Sequence, residues 1–182
     1  MDFERLEKNI CDNILEAQLK LGYDKRPISF NYTLSTLRNL LATDADMTDM
    51  QYALFQFRLY SASALGELSF HEIKDGFCIT VPEKGTENIH YLYDHSGLIP
   101  ELVNKVREHC SSVDEVLDIF RKYSADAVIE EKNNDEFDYL VYFKNGVPDE
   151  YYYCISVEEE IDGSFHVSYH RFIKEDYEEL GF

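Results

Sequence analysis

Along this chain the apolar residues change their period near residue 126, and that change decides which architectures are open to it. Before it, apolar side chains recur at three- and four-residue steps, the spacing of one face of an α-helix. Phe3, Leu6, Ile10, Ile14, Ala17 and Leu21 trace the clearest such face. After it, short runs rich in Tyr, Phe, Val and Ile lie between turn residues, the pattern of strands. Helices gathered first and strands last imply an α+β fold, not alternating α/β units. The expected architecture is a mainly helical N-terminal part with one β-hairpin, followed by a C-terminal antiparallel β-meander.

Local signals place the elements. Gly22 stands where the first helix ends, in the left-handed conformation that glycine tolerates, and Pro27 lies outside it. Ile28 to Tyr32 makes a short extended link. Leu34 to Leu41 is a short helix capped by Thr33, and Met47 to Tyr60 a longer one capped by Asp46. In the latter, Met50, Leu54, Phe57 and Ser61 share a stripe. Asp75-Gly76 between Glu67 to Lys74 and Phe77 to Pro82 predicts a hairpin, since a tight turn needs positive φ at its centre. Pro82 and Gly85 close it. Thr86 to Asp94 fits either a helix capped by Thr86 or a strand.

Pro100 opens another helix, running to about His109, because its missing N–H would be unpaired there anyway. Ser112-Val113-Asp114-Glu115 spells a capping box for the next helix. Strands are expected at Ala127 to Glu131, Phe137 to Phe143, Tyr151 to Glu158 and Ser164 to Phe172. Asn145-Gly146 and Asp162-Gly163 supply turns, and short links favour antiparallel neighbours. Asp176 to Leu180 reads as a final helical turn. With 182 residues, 45% of them apolar, the chain suits a single domain spanning residues 1–182, with a possible subdivision near residue 124.

The charge is uneven. The net charge is −19, from 36 acids and 17 bases. From Asp126 onward stand 16 acids and 4 bases, a net −12 in under a third of the length. Such a surface repels phosphate backbones and anionic lipid, so neither nucleic acid nor membrane is an expected partner. It attracts basic ones by electrostatic steering. Cys11, Cys78, Cys110 and Cys154 are widely spaced with no Cys-x-x-Cys pair, the N-terminus lacks a signal-like apolar region, and no run of about 18 apolar residues occurs. Reduced thiols in the cytoplasm are the expectation.

Few motifs carry chemistry. Glu87 and His90 stand in a Glu-x-x-His spacing that puts both on one helical face, and Asp94 and His95 follow. Together they are the candidates for a metal-dependent or small-molecule site, although di-iron bundles need that pair twice. The bland alternative is a solvated helix end. His166, Ser168 and His170 alternate with Phe165, Val167 and Tyr169, so the aromatic set faces the core and the histidines face out. The two histidines would lie about 13 Å apart at roughly 3.3 Å per residue, too far for one ion. Glu158-Glu159-Glu160 lacks the alternating ligands of a calcium loop. A phosphate-cradling glycine loop with its lysine, a G-x-S-x-G elbow and an H-E-x-x-H pair are all missing. No cofactor is expected.

The run KNICDNILEAQLKLGYDKRPISFNYTLSTLRNLL, ending at Leu41, and PEKGTENIH, Pro82 to His90, resemble a bacterial domain-of-unknown-function family of gut clostridia. The features are a leading amphipathic helix, a Leu-Gly-Tyr stop and a Tyr-x-Leu-Ser segment. The resemblance covers most of the chain and implies a bacterial cytoplasmic origin, with no activity and no catalytic residue to carry over.

Of the 14 tyrosines, Tyr139, Tyr142, Tyr151, Tyr152, Tyr153 and Tyr169 fall in the strand region. Tyrosine beside carboxylate suits a partner rich in Arg or Lys, through ion pairing and cation–π contact; strands also use tyrosine structurally. The functional expectation is a non-enzymatic acidic interaction domain binding a basic protein partner through Tyr151, Tyr153, Glu158 and Glu159. The alternative is the enzyme with its site around Glu87, His90, Asp94 and His95.

Overall fold

A computed structural model describes residues 1–92, 96–108, 111–132, 134, 136–161 and 163–181. The fold is α+β. It divides into two compact units, Met1–Asp94 and His95–Phe182. The helix ending at Tyr123 lies in the second unit, with the C-terminal strands that it packs on.

In the first unit, α1 (Phe3–Leu21) lays Leu6, Ile10 and Ile14 into the core. Its apolar stripe stops short of the expected Leu21, which is 88% exposed. Gln18 is buried in the last turns instead, its amide donating to the Thr86 carbonyl at 2.9 Å. Gly22 ends the helix with φ +88° but an extended ψ of 153°, so the stop is not left-handed helical. The extended link is a full strand, β1 (Ile28–Thr33). The helices α2 (Leu34–Leu41) and α3 (Met47–Tyr60) occupy the expected spans, with Thr33 and Asp46 accepting the free backbone N–H groups as caps. A short α4 (Ala62–Leu65) follows.

Strands β2 (Ser69–Ile73) and β3 (Gly76–Val81) form the hairpin, and β1 pairs with β3 to give an antiparallel sheet of order β1-β3-β2. Gly76 is required for a different reason from the one the turn suggests: a Cβ there would stand 2.0 Å from the Tyr32 carbonyl oxygen of β1. Pro82 and Gly85 do not close the hairpin. They open α5 (Glu83–Leu92), which resolves the ambiguous stretch as helix. Gly85 lets that helix press on α4, since a Cβ would lie 2.1 Å from the Leu65 carbonyl oxygen. Thr86 is inside the helix, its hydroxyl donating to the Glu83 and Arg26 carbonyls.

In the second unit, α6 (Leu98–Val106) starts two residues before Pro100 and ends before His109, which lies outside the described residues. The helix α7 (Val113–Tyr123) begins at the expected capping box. Ser112 Oγ accepts from Glu115 N–H at 3.2 Å, and Glu115 Oε2 accepts from Ser112 N–H at 3.0 Å. Four strands follow as an antiparallel meander: β4 (Ala127–Glu131), β5 (Tyr139–Phe143), β6 (Tyr151–Glu159) and β7 (Phe165–Ile173). Helix α8 (Lys174–Leu180) completes the chain.

This sheet is covered on both faces. On one, Phe120 of α7 meets Phe143 and Tyr153, with ring centroids 6.1 and 4.9 Å apart. On the other, Tyr177 of α8 joins Phe137, Leu140 and Cys154 in a core that Tyr142, Tyr152 and Phe172 flank. Among the described residues no helix is long and apolar enough to cross a membrane.

Candidate functional site at the end of the β6–β7 hairpin

The antiparallel register places Glu158 opposite His166 and Glu159 opposite Phe165. Beyond them the chain turns, with Glu160 donating to the Ser164 carbonyl at 2.8 Å and Gly163 at φ +82°. Asp162, the other expected turn residue, lies outside the described residues. Glu158, Glu159 and Glu160 are all exposed. The segment leading into β5 adds more carboxylate to this end of the sheet. Asp138 Oδ2 accepts from Val157 N–H at 2.7 Å, and the Glu136 carbonyl accepts from Ser156 Oγ.

Two apolar side chains sit among these acids. Ile161 is fully exposed at the tip, and Phe165 is more than half exposed. Phe165 was expected in the core, on the face shared with Val167 and Tyr169. Those two are buried, but Phe165 lies at the sheet's end, beyond the cover of the helices. His166 and His170 face outward as expected. Sequence reasoning passed over Ile161 and placed Phe165 in the core; the signal for both was their place beside the Glu158–Glu160 run and Asp162-Gly163.

The other two expected contacts sit elsewhere. Tyr151 is buried and Tyr153 is 0% exposed. The Tyr153 hydroxyl donates to Asp149 Oδ2 at 2.7 Å, while Asp149 Oδ1 accepts from Tyr151 N–H at 3.1 Å. The Arg171 guanidinium lies 4.1 Å from the centre of the Tyr151 ring. Burial, then the Asp149 charge, pushes the Tyr153 phenol well above the ordinary tyrosine range. These rings are core, and neither is available to a partner docking from outside.

The bases of this unit are largely engaged with its own groups. Lys132 pairs with Glu130 at 2.7 Å and Lys174 with Glu178 at 3.7 Å, while Arg171 covers Tyr151. The Lys132 hydrogen bond holds the Glu130 carboxyl below its usual range. The negative field at the hairpin end is therefore weakly offset from within.

The alternative site has a different character. On α5, Glu87 stands between Lys84 at 3.3 Å and Lys25 at 3.7 Å. His90 lies flat on Tyr23, with centroids 4.0 Å apart and planes 8° from parallel. Asp94 and His95 lie outside the described residues. No three His, Cys, Asp or Glu side chains converge on a metal-sized space among the described residues. A cleft of about 390 Å³ lies along α6 and α7, lined by Ser96, Glu101, Asn104, Lys105, Glu108 and Ile119. Its charges are matched: Lys122 and the Tyr123 hydroxyl donate to Glu101 and hold its carboxyl low, and Lys105 pairs with Glu108 at 2.8 Å. Cys11, Cys78 and Cys154 carry free thiols, and burial pushes that of Cys154 up to about 12.

Helices with a three-stranded sheet, then a four-stranded meander ending in an acidic hairpin, define an α+β fold. The chain belongs to the family described as "Domain of unknown function, E. rectale Gene description (DUF3877)", which matches residues 3–181. Searches of curated proteins and of solved structures each find no match.

Proposed function

We propose that this chain is a non-enzymatic protein-interaction domain that binds a basic partner through the end of the β6–β7 hairpin. The observation that carries the reading is the exposed Glu158-Glu159-Glu160 run beside two exposed apolar side chains, Ile161 and Phe165. Carboxylates steer a basic surface into register, and the apolar pair gives it something to close on. The other charges of the second unit support this, since its few cations are mostly engaged internally. The free thiols suit a reducing compartment, and we propose the cytoplasm as the place of action.

The test is a low-salt pull-down from the source organism's lysate, run in parallel with wild-type bait and with E158Q/E159Q/E160Q. A stoichiometric basic protein held by the wild type, released as salt rises and missing from the variant, supports the reading. Equal retention by both baits, or no basic protein on either, contradicts it, because steering is strongest at low ionic strength.

A further inference from the structure

Helix α3 carries apolar side chains on opposite sides. Met50, Ala53, Leu54 and Phe57 are buried on one face. On the other, Tyr52, Phe55 and Leu59 stand at i, i+3 and i+7 and are 64%, 48% and 67% exposed, and the adjoining Tyr60 is 49% exposed. Gln51 and Gln56 are exposed alongside them, and Arg58 is half-buried. The whole helix holds two charged residues, Asp49 and Arg58, and the Arg58 guanidinium lies 4.8 Å from the centre of the Phe55 ring. An exposed helix face depleted of charge and rich in aromatics has the composition of an interface centre.

The C-terminal end of this stripe is acidic. Tyr60 packs on Phe3 of α1 with centroids 5.6 Å apart, which brings the start of α1 alongside. Burial, then Glu7, Glu4 and Asp2, raises the Tyr60 phenol above its ordinary range. Burial and neighbouring Glu4 likewise raise the Glu7 carboxyl. The other end of the stripe holds Asp46, the cap, and Asp49.

We infer that the exposed face of α3 is a docking site for a basic amphipathic helix. Its apolar positions would lie on Tyr52, Phe55 and Leu59, and its Lys or Arg would lie beside Glu4, Glu7 and Tyr60. Charge decides against a second copy of this chain as occupant. Antiparallel pairing of two α3 helices sets Glu4 and Glu7 against the other copy's Asp46 and Asp49. Parallel pairing sets like carboxylates directly together. Size points the same way. Taking roughly 200 Å² for a whole aromatic side chain, the exposed parts of the four side chains come to about 400 Å². That is half of what each side of a standard complex buries, and it suits one helix lying along α3 by i, i+3, i+7 anchors. This surface belongs to the first unit and the hairpin end to the second; the inference rests on other residues than the proposed function and shares with it the expectation of a basic partner.

The probe is a labelled Leu/Lys helical peptide with leucines at i, i+3 and i+7, compared with a twin in which Glu replaces Lys, by fluorescence anisotropy on the full chain. The Lys peptide is expected to bind and the Glu twin to bind at least tenfold more weakly. F55Q/L59Q, both side chains being exposed, should keep the wild-type circular dichroism and lose at least tenfold in affinity. E4Q/E7Q should weaken binding and flatten its salt dependence. E158Q/E159Q should bind as wild type does. Peptide affinity unchanged by F55Q/L59Q, or lost in E158Q/E159Q alone, overturns the inference and leaves the hairpin reading standing. A wild-type dimer in sedimentation that F55Q/L59Q converts to monomer also overturns it, in favour of self-association.

Discussion

Strand β6 and helix α3 are both rich in aromatic side chains, and they use them in opposite ways. In β6, Tyr153 is buried against Phe120 of α7 and Tyr151 beneath Arg171, while Tyr152 stacks on Tyr142 at 4.7 Å and meets Tyr177 of α8 at 5.1 Å. The acids of that strand, Glu158 and Glu159, project past the cover. In α3, one aromatic side chain, Phe57, is buried and three, Tyr52, Phe55 and Tyr60, face solvent. Aromatic abundance alone therefore does not mark a binding surface. What matters is whether another element covers the face, and helices cover both faces of the meander.

This contrast can be broken by substitution. The largest effect is expected at Tyr153. Truncation to Ala removes a fully buried ring and should cost about 3–5 kcal/mol by denaturant unfolding, as large-to-small core changes do. Tyr153→Phe keeps the ring but leaves the Asp149 carboxylate short of a donor. It should cost about 1–3 kcal/mol, the scale of an unsatisfied buried polar group. If Tyr153→Ala costs no more than a surface change, the ring is not core and the contrast fails.

A pH titration sharpens the same point. Burial comes first among the causes that raise the phenols of Tyr142, Tyr153 and Tyr177 above the ordinary 10.0. Groups raised in the folded state contribute stability that is complete below the unfolded pKa and is lost as pH rises through the folded values. Melting temperature should hold up to about pH 10 and fall above it, with phenolate absorbance from these rings appearing together with unfolding. Ionisation of every tyrosine without loss of structure would contradict this. The acid side runs in reverse. Glu101, Glu115 and Glu130 are held low by hydrogen bonds, from Lys122, Ser112 and Lys132 first. Their contribution is present above the usual 4.5 and lost as pH falls through their lowered values, with solvent keeping each part small.

The smallest stability effects belong to the solvent side. Tyr52→Ala and Glu158→Gln should each change unfolding free energy by no more than about 0.5 kcal/mol, as exposed positions usually do. A loss of several kcal/mol at Tyr52 would mean that the α3 stripe is packed, not open.

Local signals in the sequence are legible where the structure is local. Thr33, Asp46 and Ser112 cap their helices because a side chain reaches an N–H two or three residues on, a relation the sequence displays directly. The α+β class and the antiparallel character of the C-terminal meander follow from hydrophobic period and turn residues. Tertiary reasons are hidden. Gly76 and Gly85 are glycines because of the carbonyl oxygens of Tyr32 and Leu65, far away in sequence. Tyr151 and Tyr153 looked like contacts because alternation names one face of a strand against the other, not which face is covered. With α7 on one side and α8 on the other, Tyr151 and Tyr153 are buried and Tyr152 is half-buried, while Glu158 and Glu159 at the strand's end are exposed. At the candidate site, Glu158 and Glu159 were legible as charges, whereas the exposure of Ile161 and Phe165 depends on where the cover stops.

Tyrosine footprinting of the native protein tests the central contrast most directly, by nitration under mild conditions followed by peptide mass spectrometry. The structure implies rapid modification of Tyr52 on α3, with Tyr151 and Tyr153 protected until the protein is unfolded. Modification of Tyr153 in the native state as fast as that of Tyr52 would contradict the account and return the sheet tyrosines to the list of surfaces a partner can reach.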